Sequence, residues 1–264
     1  MIDKAAAILC LFTPDQPELA VIEIAALLRR PRSSVYRILS RMAQVGFLDQ
    51  DPVTGRYRVG IRLASLGEIA RHSTSLQRVA WPWLCHVGEH TGETAALMVL
   101  SGSVGVTIDV QESVRPVKIP SHLGGRFPLH ATAGGKVLIA WKSEAEVTEL
   151  VRPPLERLTP ATITSSAKLA AELELTRSRG YGLSVGEWVP DVCALAAPVR
   201  NHRGAVVAAI AAACPAPRWD PKTMKLMASV VTESGARVSS ALGYSGQPAP
   251  AARLVRARVG SSER

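Results

Sequence analysis

The sequence has few cysteines and only a moderate number of glycines and prolines, and each shortage excludes a class of protein. Glycine and proline number 20 and 18, which is below the level of collagen-like or low-complexity chains. The four cysteines lie far apart and form no C-x-x-C pair, so neither a zinc knuckle nor a disulfide framework is encoded. These cysteines are Cys10, Cys85, Cys193 and Cys214. The sequence therefore predicts a reducing compartment, the cytoplasm.

Long apolar runs are also missing. The run from Ala205 to Cys214 is about half the length that a membrane-spanning helix needs. The stretch from Ala5 to Phe12 is followed by Thr13-Pro14-Asp15, which is no signal-peptide cleavage site. We therefore predict no contact with a membrane.

Acidic residues are scarce relative to basic ones. Lysine and arginine number 31 against 22 carboxylates, which gives a net charge of +9, and the pI is about 9.8. A surplus of this size favours a polyanionic partner. The chain has 264 residues, 47% of them hydrophobic, which is enough for roughly two domains, each with its own core.

The basic residues are concentrated in one segment near the amino terminus. No carboxylate occurs between Ile24 and Leu48, and apolar residues from Val35 to Val45 recur at the spacing of one helical face. The opposite face carries hydroxyl and guanidinium donors of the kind that reach phosphates and base edges. Pro31 marks the start of this helix, with Ser33 or Ser34 available as its cap. The alternative is an ordinary surface helix with a solvated basic side.

The neighbouring segments favour a winged helix-turn-helix. Two short helices, Lys4–Phe12 and Leu19–Leu28, precede the basic helix, and Gly46 ends it. The segment 47–59 then has the pattern of strand, turn and strand, and forms a wing with two arginines. We predict that the partner is double-stranded DNA. The predicted contacts are Arg32, Ser33, Ser34, Tyr36, Arg37, Arg41, Arg56 and Arg58.

Several motifs in this region resemble the isocitrate lyase regulator (IclR) family of bacterial transcription factors. They are Ala5–Leu9, Glu23–Ala25, Pro31–Leu39, Gly46–Leu48 and Gly55–Gly60. The chain departs from the family where the second helix begins. Its candidates there are alanine and valine instead of serine or threonine, which predicts a cap weaker by about 1 kcal/mol.

The resemblance implies an α+β fold in three parts. A winged helix-turn-helix DNA-binding domain covers 1–60 and a linker helix 61–76. A GAF-like α/β effector-binding domain covers 77–245. The composition of the last residues, which is rich in proline, alanine and arginine, predicts a disordered basic tail over 246–264. The linker helix has an apolar stripe that includes Leu63, Leu66 and Ile69. In the family this helix contributes to dimers, which predicts a homodimer or a dimer of dimers. The alternative is that the stripe packs against its own carboxy-terminal domain.

Two further stretches, Leu123–Lys136 and Gly180–Asn201, resemble the part of the family that binds a small organic effector. Neither stretch has a catalytic arrangement, so we predict no enzyme activity and no cofactor. The first begins a helix at Gly134, whose free amides could receive an anionic group. The predicted effector contacts are Phe127, Ala133, Gly134, Ser184, Val192, Ala194, Ala211 and Ala213.

Most of these positions are alanine where relatives that bind small hydrophilic acids have polar side chains. A dry pocket disfavours a ligand whose polar groups stay unpaired. We therefore expect an effector that is larger or more apolar than a two- or three-carbon acid, such as an apolar or aromatic acid. Core packing is the alternative for each alanine, and the better one for Ala211 and Ala213 taken singly.

Two other functions are compatible with parts of the sequence. His86-Val87-Gly88-Glu89-His90 has the residue order of an inverted zinc-peptidase motif, with His86 and His90 on one helical face. A zinc hydrolase is therefore an alternative, although Gly88 interrupts the helix and no pattern nearby supplies a third ligand. A ligand-sensing module whose basic helix binds another protein is a second alternative.

Overall fold

The computed structural model describes residues 2–13, 16–73 and 75–246. The chain divides into two compact units, one that ends at Ser75 and one that begins at Leu76. The predicted basic tail lies outside the described residues beyond Gly246. Within the described ranges, no helix is long and apolar enough to span a membrane.

The first unit is a bundle of three helices beside a small sheet. Its helices are α1 (Ile2–Leu9), α2 (Val21–Leu27) and α3 (Arg32–Gln44), and its strands are β1 (Glu18–Leu19), β2 (Leu48–Gln50) and β3 (Tyr57–Val59). Val35, Leu39 and Met42, which the sequence places on the inner face of α3, are buried in the core of this unit. The remaining core includes Ile8, Leu19, Ile24, Leu48 and Tyr57.

The predicted hairpin is present, and a third strand accompanies it. Strands β2 and β3 pair antiparallel, with Asp49 opposite Arg58, and the carboxylate of Asp51 accepts hydrogen bonds from the amides of Val53 and Thr54 at 2.8 and 2.7 Å. These bonds, that of Thr54 foremost, lower the pKa of Asp51. Strand β1 pairs with the other edge of β3, where the sequence predicted the start of a helix. Two residues are too short a strand to leave a periodic signal.

The predicted weak cap of α2 is confirmed, whereas the predicted serine cap of α3 is wrong. Ala20 precedes α2 and has no side-chain acceptor, while the Glu23 carboxylate accepts a hydrogen bond from the Ala20 amide at 2.6 Å. At α3 the cap is Pro31, whose carbonyl oxygen accepts from the Ser34 amide at 3.1 Å. The serines therefore lie within the first turn instead of before it.

Helix α4 (Ile61–Ser73) follows β3 and is the last helix of the first unit, and the second unit begins at the second residue of the next helix. Its helices are α5 (Ser75–Thr91), α6 (Ala133–Ala140), α7 (Glu144–Val151), α8 (Ser166–Arg179) and α9 (Pro221–Ala241). Its strands are β4 (Thr94–Ser101), β5 (Val104–Gln111), β6 (Arg126–Phe127), β7 (Gly182–Val185), β8 (Val192–Arg200) and β9 (Val206–Pro215).

The six strands form one antiparallel sheet in the order β6-β5-β4-β9-β8-β7. Helices α5 and α9 cover one side of it through a core that includes Leu84, Leu195 and Val231. Helices α6 and α8 cover the other side through a core that includes Val137 and Leu169. The predicted fold class, an amino-terminal winged helix-turn-helix followed by an α/β unit, is confirmed.

Local sequence signals account for the start of several of these elements. The capping box at Ser143 and Glu146 begins α7, and Pro221 is the first residue of α9 after the Asp220 cap. The β4–β5 hairpin and the β8–β9 hairpin each turn at a segment that contains a glycine with positive φ, Gly102 and Gly204. Strands β6 and β7 were not predicted, because both are too short to show alternation of apolar and polar residues.

Candidate DNA interface and ligand cavity

Helix α3 exposes the face that the sequence predicts for DNA contact. The side chains of Arg32, Arg37 and Arg41 are exposed, and that of Tyr36 is 54% exposed. Ser33 is also exposed, whereas Ser34 is half-buried. Because the first amides of a helix have no intrahelical acceptor, the start of α3 also offers backbone donors to an anion. The helix therefore presents cations, hydroxyls and amides on a single open face.

The two wing arginines differ in their surroundings. The Arg56 guanidinium donates to the Glu23 carboxylate at 2.7 Å and to the Glu18 carbonyl oxygen at 3.2 Å. Arg58 is more exposed, and 3.9 Å separates it from the carboxylate of Glu18. Arg56 therefore joins the wing to the start of α2, and Arg58 is the wing cation that is freer to meet another molecule.

A cavity in the second unit lies between the sheet and the start of α6. One row of four paired residues forms part of its wall: Ser184 on β7, Ala194 on β8, Ala213 on β9 and Thr94 on β4. The small alanine side chains leave empty space that larger residues would fill. This space amounts to about 650 Å³ including the opening to solvent.

All eight residues predicted as effector contacts line this cavity. They are Phe127, Ala133, Gly134, Ser184, Val192, Ala194, Ala211 and Ala213. Register explains the convergence of the residues on β7, β8 and β9, since alternate residues of neighbouring strands share one side of a sheet. Ala133 and Gly134 join them from the start of α6.

Sequence reasoning missed nine further lining residues. They are Thr94, Ala96, Met98, Ile119, Pro120, Ser121, Thr132, Trp188 and Val189. Thr94, Ala96 and Met98 alternate along β4, so strand alternation places them on one side of the sheet once the order of the strands is known. The loop residues 119–121 and 188–189 have no periodic pattern in the sequence that predicts their position. Trp188 and Val189 are 43% and 44% exposed, so they border the opening.

The side-chain hydroxyls of Ser184 and Thr132 in the cavity already form hydrogen bonds within the protein. The Ser184 hydroxyl donates to the Ala131 carbonyl oxygen at 2.9 Å. The Thr132 hydroxyl donates to the Pro128 carbonyl oxygen and accepts from the Gly135 amide. The amides of Ala133 and Gly134 are the first two of α6, where a helix supplies no acceptor. The cavity thus combines apolar walls with a small group of backbone donors.

The cysteines of the second unit are poor nucleophiles. Cys193 and Cys214 are buried directly opposite each other on β8 and β9. Burial raises the pKa of Cys193 to about 11 and that of Cys214 to about 12. Cys85 is half-buried, and burial raises its thiol pKa as well. Because the thiolate is the reactive form, none of these cysteines is suited to nucleophilic catalysis.

The different exposure of the cysteines predicts that they react with a thiol reagent at different rates. At pH 8, Ellman's reagent should modify Cys10, which is exposed, within minutes, while Cys193 and Cys214 react only as the protein unfolds. Four thiols should react rapidly in guanidinium chloride. Rapid modification of all four in the folded protein would contradict this description of the core.

The histidines of the zinc-peptidase string lie on one surface of α5. The rings of His86 and His90 stack with centroids 3.9 Å apart, and Nδ1 of His90 lies 2.9 Å from the His86 carbonyl oxygen. Among the residues that the structure describes, no cluster of three or more histidine, cysteine, aspartate or glutamate side chains could hold a metal ion. His86 is half-buried and His90 exposed, on a helix whose Leu84 and Val87 are buried in the core.

A winged helix-turn-helix with an open basic helix, followed by an α/β unit with an apolar cavity, defines a DNA-binding transcriptional regulator. The family model for the IclR helix-turn-helix domain matches residues 1–52, and that for the bacterial transcriptional regulator IclR C-terminal domain matches residues 69–240. The chain belongs to the IclR family of transcriptional regulators. The family consists of regulators and not of enzymes, which confirms the prediction that this chain is no enzyme.

Relatives of known name or structure support this membership. The HTH-type transcriptional regulator XynR of Escherichia coli is 34% identical over 92% of this chain and 97% of its own. The crystal structure of an IclR regulator from Alicyclobacillus acidocaldarius is 27% identical, with a TM-score of 0.85 over 92% of this chain and 98% of that one. The fold also matches an IclR homologue from Microbacterium hydrocarbonoxydans complexed with 4-hydroxybenzoate. That match has 24% identity and a TM-score of 0.79 over 91% and 98% of the two chains.

Proposed function

We propose that this regulator binds a specific DNA sequence through α3 and changes its affinity for that sequence when a small organic ligand occupies the cavity. The observation that carries the proposal is the open face of α3, where Arg32, Arg37 and Arg41 are exposed in a segment without any carboxylate. Arginines on such a helix can pair with guanine edges in the major groove, while hydroxyls and amides meet phosphates. Tyr36 and Arg58 complete the proposed surface.

We infer that the ligand is an apolar or aromatic acid. The cavity walls are mostly alanine, valine and aromatic side chains, which favour an apolar body. The amides of Ala133 and Gly134, which have no acceptor within α6, favour a carboxylate at one end. The relative from Microbacterium hydrocarbonoxydans, which has the same fold, was crystallised with 4-hydroxybenzoate, a molecule of this kind.

We also propose that two copies of the chain act together, as a homodimer or a dimer of dimers. Helix α4 exposes Ile61, Leu66 and Ile69, at 77%, 45% and 64%. A stripe of exposed apolar residues on one helix favours a partner, and a second copy provides a matching stripe. Two copies would read two half-sites about one helical turn of DNA apart. Such a complex would act in the cytoplasm.

The DNA proposal is tested on the intergenic DNA beside the chain's own gene, with a shuffled fragment of equal length as the control. We expect tight binding to the intergenic fragment, with an affinity that falls steeply as salt rises because counterions are released. Equal affinity for both fragments would contradict sequence-specific binding. Binding that does not depend on salt would instead favour a protein partner for α3.

A further inference from the structure

A fully buried lysine lies directly behind the cavity. Lys136 is in the first turns of α6, two residues after Gly134, and none of its side chain reaches solvent. It does not line the cavity. Burial of a lysine is unfavourable unless its ammonium group is paired and hydrogen-bonded. The partners of this ammonium group therefore indicate which parts of the structure Lys136 connects.

The partners of Lys136 are the neighbours of cavity residues. Its Nζ donates to the Leu183 carbonyl oxygen at 2.7 Å and to Oε1 of Glu187 at 2.6 Å. Leu183 immediately precedes Ser184, and Glu187 immediately precedes Trp188. A single ammonium group therefore connects three parts of the cavity wall: the start of α6, strand β7 and the loop that carries Trp188.

The loop is also held from its other side. The Glu187 carbonyl oxygen accepts a 2.7 Å hydrogen bond from the Thr162 hydroxyl. Residues in the left-handed region of the backbone bound the loop, with φ of 63° at Gly186 and 60° at Asp191. A non-glycine residue in that region is strained and persists only when its surroundings hold it. The conformation of the loop therefore depends on contacts such as the one from Lys136.

A second carboxylate completes the cluster. Glu172 on α8 lies 3.8 Å from the Lys136 ammonium and also pairs with the Arg179 guanidinium. Oε2 of Glu187 is buried and has no hydrogen-bond partner among the residues that the structure describes, and burial raises the pKa of this carboxyl group. Such a cluster adds little net stability compared with well-packed apolar residues. Its geometry points to a role in fixing the position of the loop.

We propose that Lys136 is a positioning residue for ligand binding, because its ammonium group fixes β7 and the Trp188 loop against α6 and so sets the shape of the cavity. The proposal rests on the proposed function of the cavity. Its test needs no ligand, so failure to find a ligand and failure of this proposal are distinguishable.

The test measures amide hydrogen exchange in the full chain. In Lys136→Met, exchange across residues 182–192 should speed up about tenfold more than exchange in β9, because local opening is separate from global unfolding. Lys142→Met is the matched control, since Lys142 follows the same helix but pairs with Glu146 at the surface. It should leave exchange in both segments unchanged.

A double variant separates positioning from stability. Lys136→Met/Glu187→Met removes both charges and leaves no unpaired buried ion, so the free energy of unfolding should return close to that of the wild type. Exchange across residues 182–192 should nevertheless stay fast. The proposal is overturned if the double variant restores wild-type protection to this segment. It is equally overturned if Lys136→Met changes this segment no more than it changes β9.

Discussion

Replacement of Arg37 by alanine is expected to weaken binding to the preferred DNA roughly tenfold to hundredfold, the usual effect of losing one arginine–base contact. Arg37 lies on the exposed face of α3, opposite the buried Leu39 and Val35. Its removal leaves the core intact, so the melting temperature should not change. Fluorescence anisotropy at fixed salt measures the effect directly.

Arg203→Ala is the matched control for this experiment. Arg203 is exposed in the turn between β8 and β9, and its removal lowers the net charge by the same amount. A comparable loss of affinity in both variants would mean that Arg37 acts only through total charge. Unchanged affinity in Arg37→Ala would remove this residue from the contact surface. If the loss is the same on shuffled DNA, Arg37 contacts a phosphate and not a base.

Replacement of Ala194 by leucine is expected to weaken ligand binding roughly a hundredfold, because the larger side chain occupies space that the ligand needs. Ala194 is in the central row of the cavity wall, between Ser184 and Ala213. Its side chain faces the empty space, so the leucine should be accommodated without loss of folding. Binding is measured by calorimetry with the acid that binds most tightly to the wild type among a panel of aromatic and aliphatic carboxylates.

Ala167→Leu is the matched control, since Ala167 is exposed on α8 and the chemical change is the same. It should bind the acid as the wild type does. DNA binding without ligand should be retained in both variants. Unimpaired ligand binding in Ala194→Leu would show that the ligand occupies another site.

The elements that the sequence predicted well are those whose signal is local. The helical spacing from Val35 to Met42 identified the buried side of α3, and with it the open side. Ser143 and Asp220, residue types that favour the start of a helix, cap α7 and α9 with their side chains. The serine cap of α3 failed because Pro31 occupies the cap itself, so Ser33 and Ser34 lie two and three residues beyond the cap.

The cavity was predictable only in part, because its walls come from distant segments. The family motifs identified eight effector contacts on strands and on α6, and all eight line the cavity. Trp188 and Ile119 could not be found, since their approach depends on loop conformations that no spacing encodes. The role of Arg56 was also invisible in the sequence, because its partner Glu23 is 33 residues away.

Occupancy of the cavity by a ligand is expected to change the affinity of α3 for DNA. The most direct test is whether acid and DNA change each other's affinity for the protein by the same factor. With the best-binding acid of the panel, the affinity for the intergenic fragment is measured with and without acid, and the affinity for the acid with and without that DNA. Linkage requires both affinities to change by the same factor, and we predict roughly a fivefold to hundredfold change. An acid that fills the cavity and leaves both affinities unchanged would contradict the account.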